Sequence, residues 1–294
     1  MNFSGWMLWR HVSLLALSCF PSGVGFDCIR VGKLFMLLTP LVLAQGTLAL
    51  PSEWELFAVD ALHHIYGWDQ EQRCLYKLWA PQYDSITRIG GAPGEEGFLG
   101  LTAIAPLGNQ QLYVLDAEGQ KIFLLGTNLQ PLQQLTYVQL PKEVAEGYPV
   151  LLTVGRGGEL YLLLRETQEI VKIDAFGRVL LRFGGKLYGP GSITNAIQLS
   201  ADKDRVYVVD SAQRIILEYD NWGNFLFSTP FPQEGEKAYA SSSGYAFWRG
   251  TVVEWQHKSM RQTYVAPEAI RAVWVQGKTL YWLGERRLGW FPLP

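Results

Sequence analysis

Apolar residues come in short runs along most of the chain, either alternating with polar ones or continuous over four to seven positions, and Gly, Asn and Asp interrupt them. No stretch past the N-terminal region sustains a 3.6-residue period, so the pattern predicts short strands and tight turns rather than helices. Residues 205–231, RVYVVDSAQRIILEYDNWGNFLFSTPF, show the phrase in full. An apolar strand ends in Asp, a polar turn follows, a second strand ends in Asp, and a Gly-led turn opens a third. The order returns in QLYVLDAEGQKIFLLGTNLQPLQQL from 111 and in ELYLLLRETQEIVKIDAFGRVLLRF from 159.

The period of this return sets the architecture. Tyr66, Tyr113, Tyr161 and Tyr207 recur every 46–48 residues, and Tyr281 marks a last unit. SGYAFWRGTVVEW at 243–255 fills the gap before it, which makes six units. Each unit reads as four short strands, the sequence mark of a propeller blade. A single blade is apolar on both faces and cannot bury either alone, whereas stacking blades around an axis buries all of them. The chain is therefore expected to be all-β, a six-bladed β-propeller of four-stranded antiparallel blades forming one domain over 47–294. The last unit, AIRAVWVQGKTLYWLGERRLGWFPLP, supplies only three strands. Residues around 46–52 are expected to add its outer strand and latch the ring, the alternative being closure by face packing alone.

Before the first unit the pattern changes. Residues 6–20 are apolar, and a second apolar run from Leu34 to Ala44 follows Lys33 and leads to small residues at Ala44, Gly46 and Ala49. That second run has the parts of a cleavable export signal. Residues 1–46 are expected to be an export segment, with translation beginning near 31–36, and an acylated Cys19 is the alternative. Neither run has the roughly 18–20 residues needed to cross a bilayer as a helix, so the mature chain is expected to carry no transmembrane helix. The expected destination is periplasmic or extracellular. Of three cysteines, Cys19 and Cys28 fall in the removable region. Cys74 alone makes neither an internal disulfide nor a Cys-rich zinc site, and it reads as a buried strand residue. With a net charge of −2 and no run of Lys and Arg, a nucleic-acid partner is not expected. The chain is expected to be monomeric.

VYVVDSAQRIILEYDNWGNFLF and LYVLDAEGQKIFLL resemble NHL repeats, in which an aromatic-Val-x-Asp strand precedes a short turn, an Ile-rich strand and a Gly-led fourth strand. SITRIGGAPGEEGFLGLTAIAPL is similar to the blade-to-blade connection of bacterial six-bladed propellers of this type. The resemblance covers 60–230 well and 231–294 poorly. It implies the ring and, for most such proteins, a binding or scaffold role.

Candidate chemistry is sparse. Asp69, Asp116 and Asp210 end the Tyr strand in three units, where a carboxylate accepts backbone N–H groups of the next turn, a structural role. ITNAIQLSADKDRVYVVDS resembles a stretch of the gluconolactonase and senescence-marker family, whose six-bladed rings hold a divalent metal in the central channel. The resemblance makes Asn195 and Glu53 candidate ligands for Ca²⁺ or Zn²⁺ and implies a lactonase-type hydrolase. The matching positions in units two and three are Thr102 and about Val150, and unit five offers no Asp, so two of that family's ligands are missing. His63 and His64 precede the first aromatic strand and His257 stands alone; both places read as polar turns. Nucleophile-elbow, phosphate-loop and paired Cys or His motifs are absent from the sequence. Of eleven tryptophans, Trp248, Trp255, Trp274, Trp282 and Trp290 fall late and read first as packing between blades. The balance of these readings is a non-catalytic ring without a cofactor, binding a protein or glycan partner through loops at one mouth. The alternatives are the metal-dependent hydrolase and a structural subunit of an envelope assembly.

Overall fold

The structure, a computed structural model, describes residues 41–43, 46–91, 97–108, 110–187, 189–202, 204–232 and 237–294. The expected export segment lies outside these residues except for Leu41–Leu43 and Gly46. Two short strands come first, β1 (Leu41–Leu43) and β2 (Gly46–Ala49). Blade 1 holds β3 (Leu56–Val59), β4 (Ile65–Asp69), β5 (Cys74–Leu78) and β6 (Ile86–Gly90). Blade 2 holds β7 (Leu101–Leu107), β8 (Gln111–Asp116), β9 (Lys121–Leu125) and β10 (Pro131–Thr136), followed by a one-turn helix, α1 (Lys142–Glu146). Blade 3 comprises β11 (Pro149–Val154), β12 (Leu160–Leu164), β13 (Glu169–Ile173) and β14 (Val179–Gly184). Blade 4 comprises β15 (Ala196–Ala201), β16 (Arg205–Asp210), β17 (Ile215–Asp220) and β18 (Phe225–Pro230). Blade 5 runs through β19 (Lys237–Ser241), β20 (Gly244–Arg249), β21 (Val252–His257) and β22 (Met260–Val265). Blade 6 supplies β23 (Ala272–Gln276), β24 (Thr279–Leu283) and β25 (Arg287–Pro292).

The six sheets form the six-bladed all-β propeller that the repeat implies. Innermost strands β3, β7, β11, β15, β19 and β23 touch in succession, and β23 returns to β3. Blade 6 is completed by β2, which pairs antiparallel with β25 from Gly46 opposite Trp290 to Ala49 opposite Arg287. The latch thus falls inside the expected 46–52. Gly46 is needed there, because a Cβ would collide with the Trp290 indole. One pairing was not foreseen: β1 adds in parallel to β22, making blade 5 five-stranded.

Strand middles buried on both faces explain the continuous apolar runs, as in β4 and β12, where every residue is buried. Gly67 in β4 leaves room for the Trp54 indole, which stacks on Tyr76 at 5.9 Å. Each blade interface carries its own apolar cluster. Between blades 3 and 4 it is built from Leu163, Ile170, Ile193, Leu199, Val208, Leu217 and Tyr219. Between blades 4 and 5 it narrows to Tyr207, Val209, Ile216, Ala238, Ala240 and Phe247. Apolar filling runs out at that interface, and a cleft opens.

Candidate functional site

Innermost strands all run the same way, giving the ring a front face where they begin and a back face where they end. The repeat tyrosines Tyr66, Tyr113, Tyr161, Tyr207 and Tyr281 are buried in the second strand of their blades. Their cross-strand partners in the third strand are Lys77, Leu124, Lys172, Glu218 and Trp290. Three of these five partners are charged, an expensive choice near a blade interface unless each finds a partner.

Glu218 leads to the site. It is 1% exposed, at the back-face end of β17. Arg205 donates to Oε2, and the hydroxyl of Tyr245 on blade 5 donates to Oε1. The guanidinium of Arg205 lies 5.7 Å from the Phe227 ring on β18, and its side chain remains 45% exposed. Burial and the neighbouring Glu218 charge push the Tyr207 phenol up to about 12, so that hydroxyl stays protonated at neutral pH. Burial and the bond to Glu218 also raise Tyr245. These groups floor a cleft of about 570 Å³ between blades 4 and 5, with Asp202, Asp204, Gln256, His257 and Lys258 on its walls. His257 is stacked on Trp255 with ring centroids 5.9 Å apart and planes 10° from parallel.

Asp202, Ser241 and Ser242 also line the back mouth of the central channel, a polar hollow of about 320 Å³ with Asp60, Thr153, Ser200 and Gln276 on its rim. Cleft and mouth therefore share a wall. The front mouth differs: about 380 Å³ bounded by Leu56, Phe57, Leu151, Ile197, Trp248 and Trp274.

Asp69, Asp116 and Asp210, all buried, hold front-face turns. Asp69 accepts the backbone N–H of Gln72 at 2.8 Å. Asp116 accepts those of Leu99, Gly100 and Gly119, each at 2.9 Å. Asp210 accepts those of Thr194, Ala212 and Gln213 at 2.6–3.0 Å, tying the incoming connection to the next turn.

The two candidate metal ligands each bond to a different partner. Glu53 pairs with Arg271 of blade 6, while Asn195 donates from Nδ2 to Ser211 Oγ at 2.9 Å beside blade 4. Neither is among the side chains bounding the front mouth. Among the described residues no group of three or more His, Cys, Asp and Glu side chains is placed to hold a metal ion. Cys74 is buried in β5. Trp248, Trp255 and Trp282 are buried between blades 5 and 6, while Trp274 and Trp290 are partly exposed.

Sequence reasoning missed the cleft. Arg205, Glu218 and Tyr245 sit on three strands of two blades and meet only through ring packing. The available signal was Glu218 itself, a lone acid inside the apolar run IILEY.

No family model matches the sequence, and no curated protein matches it. Solved structures do. The gluconolactonase XC5397 from Xanthomonas campestris aligns over 84% of this chain and 89% of its own, with TM-score 0.61 and 13% identity. The WD40 repeats of RRP9 align over 84% of this chain and 97% of theirs, with TM-score 0.55 and 10% identity. Virginiamycin B lyase from Staphylococcus aureus aligns over 81% of this chain and 80% of its own, with TM-score 0.52 and 13% identity. At these identities the likeness establishes the propeller fold alone.

Proposed function

We propose that this propeller is an exported, non-catalytic recognition module that seats a glycan segment in the cleft between blades 4 and 5. The observation that carries the reading is the Glu218 carboxylate, nearly sealed by protein yet flooring an open cleft between aromatic side chains. Sugars present hydroxyl groups and flat C–H faces; carboxylates, serines and Arg bind the first, and Tyr and Phe rings the second. Asp202, Asp204, Ser241, Ser242 and Arg205 offer the polar set, and Phe227 and Tyr245 the apolar one. The neighbouring channel mouth, which shares Asp202, Ser241 and Ser242 with the cleft, suits a chain of several sugar units over a single one. Among the solved structures it resembles are a gluconolactonase and a lyase, so fold likeness does not favour binding over catalysis.

A panel of soluble oligosaccharides, neutral, N-acetylated and amino-substituted, titrated by calorimetry into the mature chain tests the reading. One class should bind saturably and lose at least tenfold in affinity with Phe227→Ala. No binding across the panel, with the fold intact, would falsify it. Metal content of the same preparation beside Asn195→Ala addresses the hydrolase alternative: a stoichiometric cation lost in the variant would favour a lactonase-type enzyme. Periplasmic or extracellular recovery on cell fractionation addresses the expected export.

A further inference from the structure

The turn from β3 to β4 folds back around Asp60, on the back face where blade 6 meets blade 1. Asp60 is 1% exposed. Its Oδ1 accepts the backbone N–H groups of Leu62 and His64, each at 2.9 Å. Its Oδ2 accepts the Tyr66 hydroxyl at 3.0 Å and lies 2.9 Å from His64 Nδ1. With Asp60 Oδ2 as the acceptor, the matching imidazole tautomer is the one that donates from Nδ1 and presents Nε2 as an acceptor. The His64 ring is pinned edge-on to Trp79 at 5.0 Å, and its Nε2 makes no hydrogen bond to a described residue. His63 takes the left-handed backbone conformation, φ 66°, in which its Nδ1 lies 2.6 Å from the Tyr281 hydroxyl. Non-glycine residues held in that region cluster at functional sites.

His63 and His64 both line an open hollow of about 490 Å³, walled by Tyr83, Tyr281 and Trp290 with Pro81 beside them. Lys77 is the nearby cation acting on Asp60. The hollow thus combines aromatic walls, an imidazole whose ring is fixed by its bond to Asp60, and that buried acidic side chain behind it.

We propose that this hollow binds a planar aromatic compound bearing an acidic hydroxyl, a phenol, and that His64 Nε2 takes its proton. The O–H bond breaks, an N–H bond forms at Nε2, and phenolate and imidazolium remain paired with Asp60 behind them. The ring of the ligand lies against Trp290 and Tyr83. This site is separate from the cleft and does not depend on glycan recognition there.

The probe is 4-nitrophenol, whose anion is coloured, with 4-nitroanisole as the analogue lacking the hydroxyl. At a pH well below that at which 4-nitrophenol ionises in buffer, saturable binding should raise its anionic fraction several-fold above that in buffer. 4-Nitroanisole should bind at least tenfold more weakly, and His64→Gln should abolish the rise in the anionic fraction. Equal binding of the two compounds, no saturation up to roughly millimolar concentration, or an unchanged His64→Gln variant would overturn the proposal. If His64→Gln does not fold, ¹⁵N spectra of the imidazoles in the unaltered protein decide. Protonation of Nε2 on adding 4-nitrophenol supports the proposal, and an unmoved resonance overturns it.

Discussion

Lys77 in blade 1 and Glu218 in blade 4 stand at one position of the repeat, opposite the repeat tyrosine and facing the next blade. Their surroundings differ. Lys77 is fully buried; its Nζ donates to the Thr127 carbonyl of blade 2 at 2.8 Å and sits 3.7 Å from the centre of the Trp79 ring. Burial lowers its affinity for a proton, and the Asp60 charge works against that. Blade 2 closes over this charge. Glu218 instead has partners that leave half of Arg205 and the Phe227 face in solvent. The same repeat slot holds a seam in one place and a binding surface in the other. What separates them is whether the neighbouring blade offers a backbone acceptor or a hydroxyl-bearing ring at the edge of a gap.

Substitutions at the two slots should therefore fail in different ways. Lys77→Ala removes a buried stem and leaves the Thr127 carbonyl unpaired. We expect a loss of about 3 kcal/mol, read as a fall in Tm of several degrees, with oligosaccharide binding unchanged. Tyr245→Phe should cost about 1 kcal/mol of stability while weakening oligosaccharide binding roughly tenfold in calorimetry, because Glu218 loses its blade 5 donor. Phe227→Ala, at a side chain already 43% exposed, should stay within about 0.5 kcal/mol in denaturant melts yet still lose affinity. Should Lys77→Ala impair binding as strongly as Tyr245→Phe, the distinction between seam and surface collapses.

Blade 3 offers an intermediate and the smallest effect. Lys172 pairs with Glu159 at 2.9 Å in a partly buried setting, the two side chains 15% and 22% exposed. Burial pushes Glu159 up, but the hydrogen bond and charge of Lys172 outweigh it, and the net shift is downward from 4.5. A lowered carboxylate stabilises the fold fully above its ordinary value, and that stability is lost as pH falls through the lowered one. The stability advantage over Lys172→Met should thus be present at neutral pH, amount to a few tenths to about 1 kcal/mol given solvent screening, and fade below pH 4.5. An advantage independent of pH would mean that the pair acts by packing alone.

Much of the fold was legible because it is local and periodic. The Tyr spacing marked the blades, and the three-strand final unit announced a missing partner that β2 supplies. The turn aspartates were legible for the same reason: Asp116 and Asp210 act on residues a turn or a connection away. The sites were not. A buried acid such as Glu218 looks in the sequence like any polar residue facing water, since strand alternation does not say that another blade stands there. Asp60 and His64 lay four residues apart in plain view as VDALHHIY, yet nothing short of the folded turn puts Nδ1 against Oδ2. Parallel addition of β1 to β22 left no mark in the repeat, because it lies outside the repeat.

The β2–β25 ladder also dictates a schedule. Its two strands are among the most widely separated in the chain, so the pairing has a high loop-closure cost and forms late in folding. Until β25 has been synthesised, β2 has no partner and the rim of blade 6 does not exist. The latch acts as a clock as much as a clasp.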